Sequence, residues 1–217
     1  MFRRASVAAL LALLPPMLPC ARSVQAETLD RVAVSVGHEV ITESEVILDL
    51  HVVAFLERKP VDLSGAAKRQ SAERLVDQLL ILREAADSHL TLPSTEATAG
   101  LVAPYAAESD YRANLERYGI SERDLGAHLL AGLRTLTFTD LRFRPDVQVS
   151  PEDVRSYYDK MTTAQAGPAA APIPSFEASR EQIEKLLTEQ GVISALDQWL
   201  ATARKAANIR YRDQAFE

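Results

Sequence analysis

Five hydroxyl residues, Thr42, Ser94, Ser121, Ser150 and Ser175, each open an amphipathic run, and Pro60, Pro93, Gly119 and Pro145 close the runs between them. This punctuation constrains the fold more than any other feature. A chain cut so often builds several short or medium helices that must pack on one another. Thr42 has Glu45 three residues on, the spacing of a capping box. The helix it starts has Val46, Ile47, Leu50, Val53, Ala54 and Phe55 on its apolar side and ends before Pro60.

The next run, 68–89, carries the strongest helical signal. Leu75, Leu79, Leu82 and Ala86 recur every three or four residues, and Val76, Leu80 and Ala85 widen the stripe. Ser94 then opens a short helix to about Ala107, weakened by Pro104, and 109–118 forms another that Gly119 ends. From Ser121 a long helix follows, with Leu125, Leu129, Leu133 and Leu136 predicted on its buried face. Ser150 with Pro151, Glu152 and Asp153 supplies a cap, a first-turn proline and first-turn acids for a helix to about Met161. Ser175 opens the longest helix, 176–207, whose broad face holds Ile183, Leu186, Leu187, Ile193, Leu196, Trp199 and Leu200. Gly191 inside it predicts a bend.

Two short regions follow a different period. Val32, Val34 and Val36 alternate with Ala33 and Ser35, Gly37-His38 suits a two-residue hairpin turn, and Glu39-Val40-Ile41 returns. Near the other end Ile209 and Tyr211 alternate with Arg210 and Arg212. The predicted fold is therefore mainly α, a multi-helix domain with a small β element made by the N-terminal hairpin and the C-terminal strand.

Residues 1–26 have the pattern of a secretory signal peptide: Arg3 and Arg4, an apolar run over 5–14, and Val24-Gln25-Ala26 as a cleavage site. The apolar run is about half the roughly 20 residues a membrane span needs. Of 24 Lys+Arg and 30 Asp+Glu, the signal holds Arg3, Arg4 and Arg22, so the remainder has 21 bases against 30 acids, a net charge of −9. That balance repels nucleic acid and anionic headgroups, so neither nucleic acid nor stable membrane insertion is expected. The one cysteine, Cys20, falls in the signal, and the Pro19 before it argues against a lipoprotein. The expected mature chain has no disulfide. Its expected divisions are 27–161, an N-terminal helical domain; 162–174, a Pro/Ala linker with Pro168, Pro172, Pro174 and no charge; and 175–217, a closing helix and strand that complete the domain.

The order of these pieces resembles one family. Arg31-Val-Ala-Val-Ser-Val-Gly-His-Glu-Val-Ile-Thr42 resembles the opening of the SurA-type periplasmic chaperones, and Leu75-Val-Asp-Gln-Leu-Leu80 resembles their second helix. Tyr118-Gly-Ile-Ser-Glu-Arg-Asp-Leu125 resembles the junction before their long helix. Val149-Ser-Pro-Glu-Asp-Val-Arg-Ser-Tyr-Tyr158 resembles the segment that leads into their parvulin-type isomerase domain, and Ile193-Ser-Ala-Leu-Asp-Gln-Trp-Leu200 with Ala207-Asn-Ile-Arg-Tyr211 their closing helix and strand. The resemblance implies a SurA N-terminal-like domain and an ATP-independent periplasmic chaperone for unfolded exported or outer-membrane proteins. Where the family carries an isomerase domain this chain has only residues 162–174, too few to bury a core, so its peptidyl-prolyl isomerase activity does not carry over.

No chemistry replaces it. His38, His51, His89 and His128 lie too far apart in sequence for a helical metal pair, and nucleophile-elbow and phosphate-loop patterns are missing. No catalytic residue, metal or cofactor is expected. The expected partners are unfolded or extended polypeptide clients, with a homodimer left open. Leu101, Val102 and Tyr105, in a proline-containing segment poorly suited to core, and Met161 beside the linker are the candidate client-binding residues. Two other readings stay open: a peptidyl-prolyl isomerase-related enzyme, and an assembly subunit with a dedicated protein partner.

Overall fold

A computed structural model describes residues 30–165 and 174–217. The expected signal peptide, 1–26, and most of the expected linker lie outside the described residues. Chain order is β1 (Val32–Val36), β2 (Glu39–Thr42), α1 (Glu43–Glu57), α2 (Gly65–Asp87), α3 (Thr98–Ala106), α4 (Tyr111–Tyr118), α5 (Glu122–Phe143), α6 (Pro151–Gln165), α7 (Phe176–Ala206) and β3 (Ile209–Tyr211). The mainly α class with a small β element is what the sequence predicts. α6 runs past Met161 to Gln165, so residues 162–165 are helix rather than linker. Their run of Thr, Thr, Ala and Gln contains neither Pro nor Gly to end it.

The caps form as their spacing predicts. The Thr42 hydroxyl accepts from the Glu45 N–H and the Glu45 carboxylate accepts from the Thr42 N–H, closing a capping box before α1. Ser121 and Asp124 do the same before α5. Ser150 accepts from the Asp153 N–H at 3.1 Å, and Ser175 caps α7 through the Ala178 N–H at 3.3 Å.

The sheet is antiparallel in the order β2-β1-β3. Val36 pairs with Glu39 on one side and Ile209 on the other, and Val34 lies between Ile41 and Tyr211. β1 is thus a central strand that joins both ends of the described chain. The Arg212 N–H donates to the Ala33 carbonyl at 2.8 Å and the Gly37 N–H to Asn208 at 3.0 Å. A register irregularity between Val32 and Val34 sets Ala33 inside as well.

Three apolar clusters hold the helices. The first packs Val34 and Val36 against Val46 of α1 and Ala72, Val76 and Leu80 of α2, with Ala215 below. The second gathers Val52 and Phe55 of α1, Val102 of α3, Tyr111, Leu115 and Tyr118 of α4, and Leu125 of α5. The third joins Ile81 and Ala85 of α2, Phe138 and Phe143 of α5, and Val192 of α7. Trp199 touches the first and the third, and its ring centroid is 5.2 Å from that of Phe138.

The long helices bury different faces along their length. On α5 the buried large apolar residues are Leu125, Leu130, Phe138 and Phe143, and Leu136, predicted inside, is 66% exposed. The first turns of α5 serve the second cluster and its last turns the third, so the buried stripe rotates between them. On α7, Ile183 and Val192 are buried while Leu186 and Ile193 lie in solvent, because its first half packs on α6 and its second on α5 and α2. α7 is continuous through Gly191. A Cβ there would come within 2.7 Å of Val147 Cγ1, so this glycine permits close approach of the two segments.

Candidate functional site

The second cluster overturns the premise behind the α3 candidates. Val102 is buried beside Leu125, and Tyr105 packs its ring 6.2 Å from that of Phe55. Pro104 does not keep α3 from the core, because at the seventh position of a nine-residue helix it withdraws only one N–H. Leu101 on α3 and Met161 on α6 are half-buried. None of the four lines the groove described next.

That groove begins with a buried carboxylate inside a mainly apolar helix. Asp49 stands in the run Val46-Ile-Leu-Asp-Leu50 and faces inward, its side chain 4% exposed. A carboxylate is buried only when paired and hydrogen-bonded. Asp49 receives the Ser71 hydroxyl of α2 at 2.7 Å, the Arg74 guanidinium of α2, and Nδ1–H of His128 of α5 at 3.1 Å. Burial acts to raise its pKa, but the bonds from His128 and Ser71 and the Arg74 charge outweigh it, and the carboxyl lies below the usual Asp value. α1, α2 and α5 are pinned together at this one point.

Beside the pin the three helices leave an open groove. The first lobe, about 410 Å³, is walled by Val40 of β2, Leu48 of α1, Leu75, Leu79 and Leu82 of α2, and Ala127 and Ala131 of α5. A second lobe, about 610 Å³, continues past Gln78 and His128, which line both, toward Leu136 of α5 and Leu196 and Leu200 of α7. Large apolar side chains stand open to solvent here: Val40 at 53%, Leu48 at 36%, Leu82 at 40% and Leu136 at 66%. Gly132 helps line the second lobe, and a Cβ on it would meet nothing within 4 Å.

The groove residues carry a signal in the sequence, but a misleading one. Leu75, Leu79 and Leu82 form the regular stripe that predicts core. The structure buries the neighbouring stripe of Ala72, Val76 and Leu80 fully against the sheet, packs Leu75 and Leu79 on the margin of that cluster where they also line the groove, and leaves Leu82 exposed. Leu48 has no such signal, since α1 is apolar around most of its circumference. Asp49 is legible as a lone acid within an apolar run.

The other histidines serve the framework or the surface. His51 donates from Nδ1 to the Tyr118 carbonyl at 2.6 Å and ties α1 to the end of α4. His38 lies in the hairpin turn, and His89 follows α2 with φ 56°. Among the described residues no group of His, Cys, Asp and Glu is placed to hold a metal ion, and no helix is long and apolar enough to cross a membrane. The arrangement offers a surface for apolar side chains, with hydrogen-bonding groups along its edges. No protein-family model matches the chain, and no curated protein matches it.

Proposed function

We propose that the protein is an ATP-independent periplasmic chaperone that holds extended apolar segments of unfolded exported polypeptides, outer-membrane β-barrel precursors among them. The observation that carries this reading is the open groove over the Asp49 pin, with Val40, Leu48, Leu82 and Leu136 exposed along it. Isolated apolar residues on a surface need no explanation, but several gathered in one concave site mark an interaction surface. A barrel strand presents apolar side chains at every second residue, which a leucine-walled trough receives without reading a particular sequence. Burial contributes about 25 cal/mol per Å² before ordering costs, so short contacts bind reversibly without a nucleotide. The order of hairpin, helices, closing helix and strand also supports the resemblance to the SurA-type family.

The test is aggregation of an urea-unfolded outer-membrane barrel protein after dilution, followed by light scattering. The protein lacking residues 1–26 should suppress scattering at near-stoichiometric ratios, and an inert protein at the same concentration should not. Leu48→Glu with Leu82→Glu, both at exposed positions, should lose most of the protection while keeping the melting temperature. Equal protection by the inert protein or by the double variant would reject the reading.

A further inference from the structure

The first lobe of the groove is lined by acidic residues. Glu39, Glu45, Asp49 and Asp124 line it, and no Lys or Arg does. Two of these charges are already answered within the fold: Glu39 by Arg83 at 2.9 Å, and Asp49 by Arg74. Glu45 and Asp124 are not. Each is the third residue of its helix and uses one oxygen on its own cap, Glu45 Oε2 on Thr42 and Asp124 Oδ2 on Ser121. Neither forms an ion pair among the described residues, and Glu45 Oε1 and Asp124 Oδ1 accept no hydrogen bond there. The second lobe differs, because Arg74 lines it together with Glu57 and Asp77, and Asp77 is paired with Arg204.

Resting on the chaperone reading above, we propose that the preferred occupant of this groove is an extended polypeptide segment with Arg or Lys at one end of an apolar stretch. The cationic end lies at the Glu45 and Asp124 carboxylates, and the apolar residues run past Leu48, Leu79 and Leu82 toward the second lobe. An ionised carboxylate accepts hydrogen bonds only, and one with an oxygen free takes a guanidinium or ammonium donor directly. The chain's own negative balance, −6 overall, steers such segments toward it and repels acidic ones. A second copy of the chain, equally acidic, is the poorer occupant on the same ground.

The experiment uses three fluorescent peptides that share one apolar stretch and end in two Arg, two Gln or two Glu, titrated with the protein lacking residues 1–26 by anisotropy. At low ionic strength the Arg peptide should bind about five- to tenfold more tightly than the Gln peptide, and the Glu peptide more weakly than either. The preference should shrink as salt approaches about 0.5 M. Glu45→Gln with Asp124→Asn should bring the Arg peptide to the affinity of the Gln peptide and leave the Gln peptide unchanged. Gln at the third position still closes a capping box, and an unchanged melting temperature establishes that the fold is intact. Equal binding of the three peptides, or an Arg preference that survives the double variant, overturns this proposal while leaving the chaperone reading in place. A groove occupied by a second copy, seen as a dimer that the peptides fail to displace, also overturns it. Failure of all three peptides to bind, with protection retained by Leu48→Glu and Leu82→Glu, rejects the groove itself.

Discussion

His128 Nδ1 lies 3.1 Å from Asp49 Oδ1, and this bond joins α5 to α1 across 79 residues of chain at the floor of the groove. Ser71 and Arg74 reach the same carboxylate from α2, so one buried charge sets the spacing of the three helices that wall the groove.

Asp49→Ala should therefore destabilise the fold by about 3 kcal/mol, the lower end of the cost of breaking a buried pair, because Arg74 is partly exposed and keeps water as a partner. Chemical denaturation of the variant checks this. The pH dependence has a definite sign. The folded pKa of Asp49 is lowered from the ordinary value of 3.8, so its stabilisation is fully present above that value and is lost as pH falls through the lowered one. Between pH 5 and about 2 the wild type should lose more stability than Asp49→Asn, measured by urea midpoints across that range.

Gly191 and Gly132 should respond to alanine in opposite directions. At Gly132 nothing lies within 4 Å of the added Cβ, and the helix gains about 1 kcal/mol. At Gly191 the new Cβ meets Val147 Cγ1 at 2.7 Å, and overpacking, toward the upper end of about 1–3 kcal/mol, exceeds that gain. Val147→Ala combined with Gly191→Ala should restore part of the loss, a non-additivity that a double-mutant cycle reads directly.

Trp199 belongs to two apolar clusters but is only half-buried. Trp199→Ala should cost about 2–3 kcal/mol, less than a fully buried ring. Ending the chain after Pro174 removes α7 and β3 together, leaving the outer edge of β1 unpaired and Phe138 without its Trp199 neighbour. The remnant should lose its cooperative thermal transition. A sharp melt close to that of the longer chain would show that α7 contributes little to the fold.

The protein should not accelerate prolyl cis–trans isomerisation. The segment between Tyr158 and Ser175 is too short to carry a catalytic domain. Uncatalysed exchange takes tens of seconds at 25 °C, so a protease-coupled assay on a proline peptide reveals any catalysis. A rate that rises with protein concentration would return the isomerase reading.

The sequence by itself determined the number and order of helices, because caps and breakers act within a few residues. Thr42 with Glu45 and Ser121 with Asp124 need only their own backbone to set a helix start. It also determined the hairpin register next to the turn, since a two-residue turn pairs Val36 with Glu39, but not the irregularity between Val32 and Val34. The predicted faces at Val46, Leu50, Leu125 and Ile183 are buried, but where two apolar stripes compete only the tertiary structure decided which became the centre of the core. α2 carries two adjacent stripes, and periodicity ranks Leu75, Leu79 and Leu82 as highly as Ala72, Val76 and Leu80. The choice falls to the partners. The valines of β1 cover the second stripe, whereas the first borders the groove beside the Asp49 pin that ties α1, α2 and α5 together. Leu136 and Ile193 lie in solvent for a related reason: a helix long enough to serve two cores turns its face between them, and the pattern on one strand of sequence does not say where the neighbouring helices stop.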